Sequence, residues 1–82
     1  MYRLVIPKKV QKEIAGIDIR YRGRIIAGLK SLESTPFIGK KLHGEHKDQW
    51  SYNIWPYRII YEIRKNELVV LVVKVGHRQG VY

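Results

Sequence analysis

The sequence predicts an α+β domain: a small twisted antiparallel sheet with two helices on one face, in the order β-α-α-β-β-β. Three observations predict it. Apolar residues recur at helical spacing between residues 8 and 33, and strand-like runs follow from Trp50 onward. Pro7, Pro36 and pairs of turn residues separate the runs. The 82 residues suffice for about one small domain, read as spanning 1–82.

Each element has a local cause. Tyr2 to Ile6 is a short β-type run that Pro7 ends, and Pro7 also suits the first turn of a helix, where its missing N–H has no partner anyway. Lys8 to Ala15 places Val10 and Ile14 at i, i+4, a narrow packing stripe, with Gly16 as the stop. Asp18 is the expected cap of a second helix from Ile19 to Glu33, whose apolar side is Ile25, Ile26, Leu29 and Leu32. Gly23 and Gly28 each weaken that helix by roughly 1 kcal/mol relative to Ala, so a close neighbouring backbone is expected beside them. Thr35-Pro36 ends it, and residues 36–49 read as a long loop, the kind that usually carries function. Strands are expected over Trp50–Trp55, Tyr57–Arg64 and Leu68–Val75, with Lys65-Asn66 as the tight turn between the last two. Along the middle strand Tyr57, Ile59, Tyr61 and Ile63 form the floor for the helices. Arg58, Ile60 and Glu62 face a basic groove on the other side.

Composition narrows the function. Sixteen Lys and Arg against seven Asp and Glu give a net charge of +9, while a 45% hydrophobic content is too high for a disordered basic tail. Such a surplus favours a polyanionic partner: nucleic acid, an anionic membrane surface or an acidic protein. Cysteine is absent, which excludes a disulfide framework and a thiolate zinc site. No apolar run approaches the roughly 20 residues of a membrane helix, and the first residues lack a signal-peptide pattern, so a soluble cytoplasmic protein is expected. His43, His46 and His77 have no carboxylate at a recognised ligand spacing, and no phosphate-binding glycine loop occurs. Neither a metal nor a small-molecule cofactor is expected. The run Val75 to Tyr82 is more informative, because the core is complete by Val75 and an imidazole, a guanidinium and a phenol follow it.

The phrases Tyr57-Arg58-Ile59-Ile60-Tyr61-Glu62-Ile63 and Val75-Gly76-His77-Arg78 up to Val81-Tyr82 resemble the RelE/ParE superfamily of type II toxin–antitoxin toxins, and the RelE branch most. Thr35-Pro36-Phe37 followed by Lys40-Lys41-Leu42 resembles the helix-to-sheet segment of RelE-like and YoeB-like toxins. The resemblance implies a RelE-like fold and a metal-independent endoribonuclease, an mRNA interferase that cuts messenger in the ribosomal A site. It also implies a cognate antitoxin as partner. Carried onto matching positions, it makes Arg58 and Arg78 catalytic, with Tyr82 as the terminal phenol. Basic residues that RelE toxins often carry before the Tyr-Arg phrase are replaced here by Ser51 and Asn53. The general base is therefore sought first at Tyr82, then at His77, with Lys41 and His43 as substitutes.

The expected RNA-binding surface comprises Lys40, Lys41, His43, Lys47, Trp50, Ser51 and Asn53. Lysines there would meet phosphates, while Trp50, Trp55 and Tyr82 could stack on unpaired bases. Two alternatives stand beside this reading. One is a ParE-like toxin that poisons DNA gyrase, and the other is an inactive homologue that only binds antitoxin or nucleic acid.

Overall fold

The computed structural model describes residues 1–44 and 48–80. Strand β1 (Arg3–Val5) leads into helices α1 (Lys8–Ala15) and α2 (Ile19–Ser34). A short 3-10 turn over Pro36–Ile38 and strand β2 (Lys40–Lys41) follow. Strands β3 (Trp50–Ile54), β4 (Tyr57–Arg64) and β5 (Val69–His77) complete the sheet, in the order β1-β5-β4-β3-β2.

Caps and glycines explain where the helices run. The Pro7 carbonyl accepts the Gln11 N–H at 2.9 Å, which makes Pro7 the residue before α1 rather than its first-turn member. Asp18 caps α2 by accepting the Arg20 backbone N–H at 2.9 Å. The same carboxylate accepts from the Arg20 guanidinium, and this hydrogen bond holds Asp18 below the usual carboxylate range. Both groups are solvent-exposed, so the pair defines the helix start more than it stabilises the fold. Gly28 is buried because a β-carbon there would lie 2.0 Å from Ile54 Cδ1. The close neighbour is thus a side chain of β3, not a backbone, and Gly23 has open space around it.

Val10 of α1, Ile17, and Ile25, Leu29 and Leu32 of α2 pack onto Ile59, Tyr61, Val70, Val72 and Val75. Burial of each such side chain is worth about 1.5–3 kcal/mol, so this single layer accounts for the adherence of both helices to one face. Ile26, expected on that face, is 43% exposed, because it falls off the stripe set by Ile25, Leu29 and Leu32.

Four features differ from the sequence expectation. The sheet is mixed: β1 pairs parallel with β5, Arg3 opposite Val69 and Val5 opposite Leu71. A strand separated from the others by two helices escapes the hairpin constraint that makes neighbours antiparallel. Inside the presumed loop, Lys40 and Lys41 pair antiparallel with Ser51 and Trp50, a strand too short to show any period. The β4–β5 connection is a 3-10 turn over Lys65–Glu67, closed by Leu68 in the left-handed region (φ 53°), and not a two-residue turn. Finally, register slips between Ile60 and Tyr61: Ile60 pairs with Lys74 and Tyr61 with Val72, which leaves Val73 as an extra residue in β5.

The loop after α2 is locked to the sheet. Tyr61 Oη donates to Pro36 O at 2.7 Å and accepts the Gly39 N–H at 3.2 Å. Burial pushes the Tyr61 phenol up from its ordinary value, and the Gly39 hydrogen bond only partly opposes this.

Candidate functional site

Register decides what shares the helix-free face, since directly paired residues point the same way. One row there is Lys40, Ser51, Ile60 and Lys74, and the next is Asn53, Arg58 and Gly76. The middle of the first row is packed, with Ile60 buried and Ser51 only 9% exposed. The second row opens into a cavity of about 170 Å³ at the β3–β4 turn, lined by Asn53, Trp55, Tyr57, Arg58 and Arg78.

Two guanidinium groups therefore share one cleft. Arg58 Nε donates to Asn53 Oδ1 at 2.9 Å, a bond between residues directly opposite each other in β3 and β4. Arg78 follows β5, and its backbone N–H donates to Pro56 O at 2.9 Å, which ties the chain beyond the sheet to the turn. Its guanidinium carbon lies 4.4 Å from the centre of the Trp55 ring. Among the described residues no carboxylate lines the cavity and neither arginine forms an ion pair. Each guanidinium has five donors. With most of them unused among the described residues, the arrangement suits bidentate binding of a phosphate or another oxyanion.

Other residues singled out in the sequence lie elsewhere. His77 pairs with Tyr57, one step from the Gly76–Arg58 pair, and so faces the opposite side of the sheet from Arg58. Its ring meets Tyr57 edge-on at 5.9 Å, and Nδ1 accepts the Gln79 N–H at 3.3 Å. Trp50 sits on the helix side, stacked with Tyr61 at 6.4 Å and edge-on to Phe37 at 5.5 Å. Lys40, Lys41 and His43 are exposed. Lys41 lines a second, larger cavity of about 380 Å³ with Phe37, Trp50, Asp48, Glu62, Arg64 and Lys65, where Glu62 already pairs with Arg64. Tyr82 and Lys47 fall outside the described residues.

Sequence reasoning left Tyr57 out of the site and did not foresee the contact that Arg24 makes with its turn. Tyr57 belongs to the helix-side set yet reaches the cavity, because the cavity wraps round the end of the sheet. The Arg24 guanidinium donates to Trp55 O and so ties α2 to the same turn. No spacing within one element could signal a contact made across 31 residues. Among the described residues, no group of three or more His, Asp or Glu side chains gathers as a metal site, and no helix is long and apolar enough to cross a membrane.

A five-stranded mixed open sheet backed by two helices agrees with the RelE-like fold that the sequence resemblance implies. Comparison with solved structures gives the same class. A chain of the RelBE2 toxin–antitoxin complex from Mycobacterium tuberculosis superposes with a TM-score of 0.86 at 22% identity, covering 94% of this chain and 98% of that one. The isolated Escherichia coli RelE toxin gives 0.80 at 25% identity, over 94% and 84% of the two chains. The archaeal RelE–RelB complex of Pyrococcus horikoshii gives 0.81 at 25% identity, over 99% and 98%. No curated protein matches. A family model described as the ParE toxin of the type II toxin–antitoxin system, parDE, matches residues 4–82. The chain belongs to that family and is a type II toxin of the RelE/ParE superfamily. The Mycobacterium tuberculosis and Pyrococcus horikoshii neighbours are each complexes of a toxin with its antitoxin.

Proposed function

We propose that this toxin is a metal-independent endoribonuclease that cuts messenger RNA in the ribosomal A site and so stops translation in the cytoplasm. The observation that carries the reading is the shared cavity of Arg58 and Arg78, two cations distant in sequence with no acidic side chain among the described residues that line it.

In this reading the 2′-hydroxyl of the substrate attacks the adjacent phosphorus. The new O–P bond forms in line with the P–O5′ bond that breaks, leaving a 2′,3′-cyclic phosphate and a 5′-hydroxyl. The protein must align the attack, take the 2′ proton, and return a proton to the departing oxygen. Negative charge grows on the non-bridging oxygens as the phosphorus becomes five-coordinate. Arg58 and Arg78 meet that charge with preorganised N–H donors. Tyr82 is the first choice for proton transfer, since cations beside a phenol favour its ionised form. His77 is the second choice and would have to act from beyond the turn, given its position beside Tyr57. Lys40 and Lys74, in the row next to Arg58, supply the cationic track for the messenger backbone.

Mapping the 5′ ends of messenger after brief induction, with Arg58→Ala as control, tests this. Ends phased to codons that vanish in the variant support it. Gyrase poisoning is the second reading, favoured by the ParE description of the matching family model. Trapped gyrase–DNA complexes with intact messenger would establish it instead.

A further inference from the structure

We infer that Trp55 is a positioning residue: its ring holds the Arg78 guanidinium at the cleft before any phosphate arrives. The inference rests on the ribonuclease reading of the same site. Trp55 is 65% exposed and lies outside the core cluster, so packing does not explain it. What it does contact is Arg78, whose guanidinium carbon lies 4.4 Å from the ring centre.

The turn that carries the ring is fixed from two sides. Arg24 of α2 donates to Trp55 O, and the Arg78 backbone N–H donates to Pro56 O at 2.9 Å. The indole is thus anchored to a helix, and the residue it holds is anchored to the indole's own turn. An unrestrained arginine beyond the end of a strand would sample many rotamers, and ordering it would oppose the reaction. A carboxylate could also order it, but would cancel its charge and compete with the phosphate for the same donors. An aromatic face attracts the cation through its quadrupole and leaves the charge intact. Arg58 follows the same rule, held by the neutral amide oxygen of Asn53. Among the described residues both guanidinium groups are oriented by uncharged partners, which leaves their charge for a dianionic transition state.

The test uses the full chain on programmed ribosomes, with the single-turnover cleavage rate measured against toxin concentration for Trp55→Leu and Trp55→Phe. Trp55→Leu is expected to lower the saturated rate about tenfold with the half-saturating concentration unchanged, and Trp55→Phe to stay within about threefold of the parent. A half-saturating concentration that rises while the rate holds would overturn the inference, making Trp55 a contact for base or ribosome. Two unchanged parameters would also overturn it. A second readout needs no activity. Trp50→Phe leaves Trp55 as the sole indole, and Arg78→Ala in that background should shift its emission, while Arg78→Lys restores part of the shift. If Trp50→Phe does not fold, the difference spectrum between the parent and Trp55→Leu gives the same signal. If the parent chain cuts nothing, the ribonuclease reading fails by itself, and emission alone decides this inference: a shift supports the Trp55–Arg78 contact and an unchanged spectrum rejects it.

Discussion

Two ends of one sheet treat their polar groups in opposite ways. At the Pro36–Gly39 end, the buried Tyr61 hydroxyl both donates and accepts, and Trp50 and Phe37 pack beside it. At the β3–β4 turn, Arg58 uses one N–H on Asn53, and Arg78 rests on an exposed ring. The first end uses its buried hydroxyl fully, and that hydroxyl holds the helix-to-sheet loop. The second retains strong donors aimed into a cavity, which is what a site for an external anion requires. The difference teaches that free donor capacity, more than cavity size, separates the two: cavities of about 380 and 520 Å³ at the first end both exceed the one shared by Arg58 and Arg78, and in the former Glu62 is already paired with Arg64.

The comparison can be broken most severely at the turn end. Arg58→Ala or Arg78→Ala should raise the cleavage barrier by about 2–4 kcal/mol, like loss of an oxyanion donor. Thermal melting should show both variants within about 0.5 kcal/mol of the parent, since neither side chain is in the core. The other end should show the reverse. A β-carbon at Gly39 would lie 2.5 Å from Tyr61 Oη and 2.7 Å from Ser51 O, so Gly39→Ala should lower unfolding stability by about 1–3 kcal/mol in urea titrations. The fraction still folded should cleave normally.

Tyr61→Phe sharpens the contrast, as it leaves Pro36 O and the Gly39 N–H without this partner and should cost about 1–2 kcal/mol. It should also alter the alkaline limb of stability. Burial raises the folded-state value of Tyr61, whereas an unfolded phenol ionises near about 10. The unfolded chain therefore releases this proton first. The associated stability is complete below that pH and is lost as pH rises toward the folded value. Melting curves across this range should fall less steeply for Tyr61→Phe than for the parent. The smallest effect lies far from either end: Gly23→Ala, in an exposed helix position with open space, should raise stability by roughly 0.5–1 kcal/mol.

Helices and middle strands were legible in the sequence because their causes are local. Val10 and Ile14, the Asp18 cap and the Tyr57–Arg64 alternation each lie within one element, and the structure has α1 at Lys8–Ala15 and β4 at Tyr57–Arg64 as expected. The parallel β1–β5 pairing was not legible, since strand direction is set by the path between elements and not by composition. The slip at Val73 was hidden for a similar reason, because a continuous apolar run gives no sign of which residue is extra. Of the site, Arg58 and Arg78 came from matching phrases, and alternation along a strand explains why His77 turns away from Arg58. The contact of Arg78 with Trp55 joins a turn to the far end of another strand, and no periodicity encodes it.

The parallel seam between β1 and β5 also bears on synthesis. Arg3–Val5 is made before its partner Val69–Leu71, with both helices and three strands of the chain between them. Closing so long a loop is slow relative to local contacts. Until β5 appears, the first strand has no neighbour, β4 lacks half its ladder, and Arg78 does not yet exist. A nascent copy of this protein therefore closes its sheet, and completes the cavity shared by Arg58 and Arg78, only once β5 and the residues after it have been made.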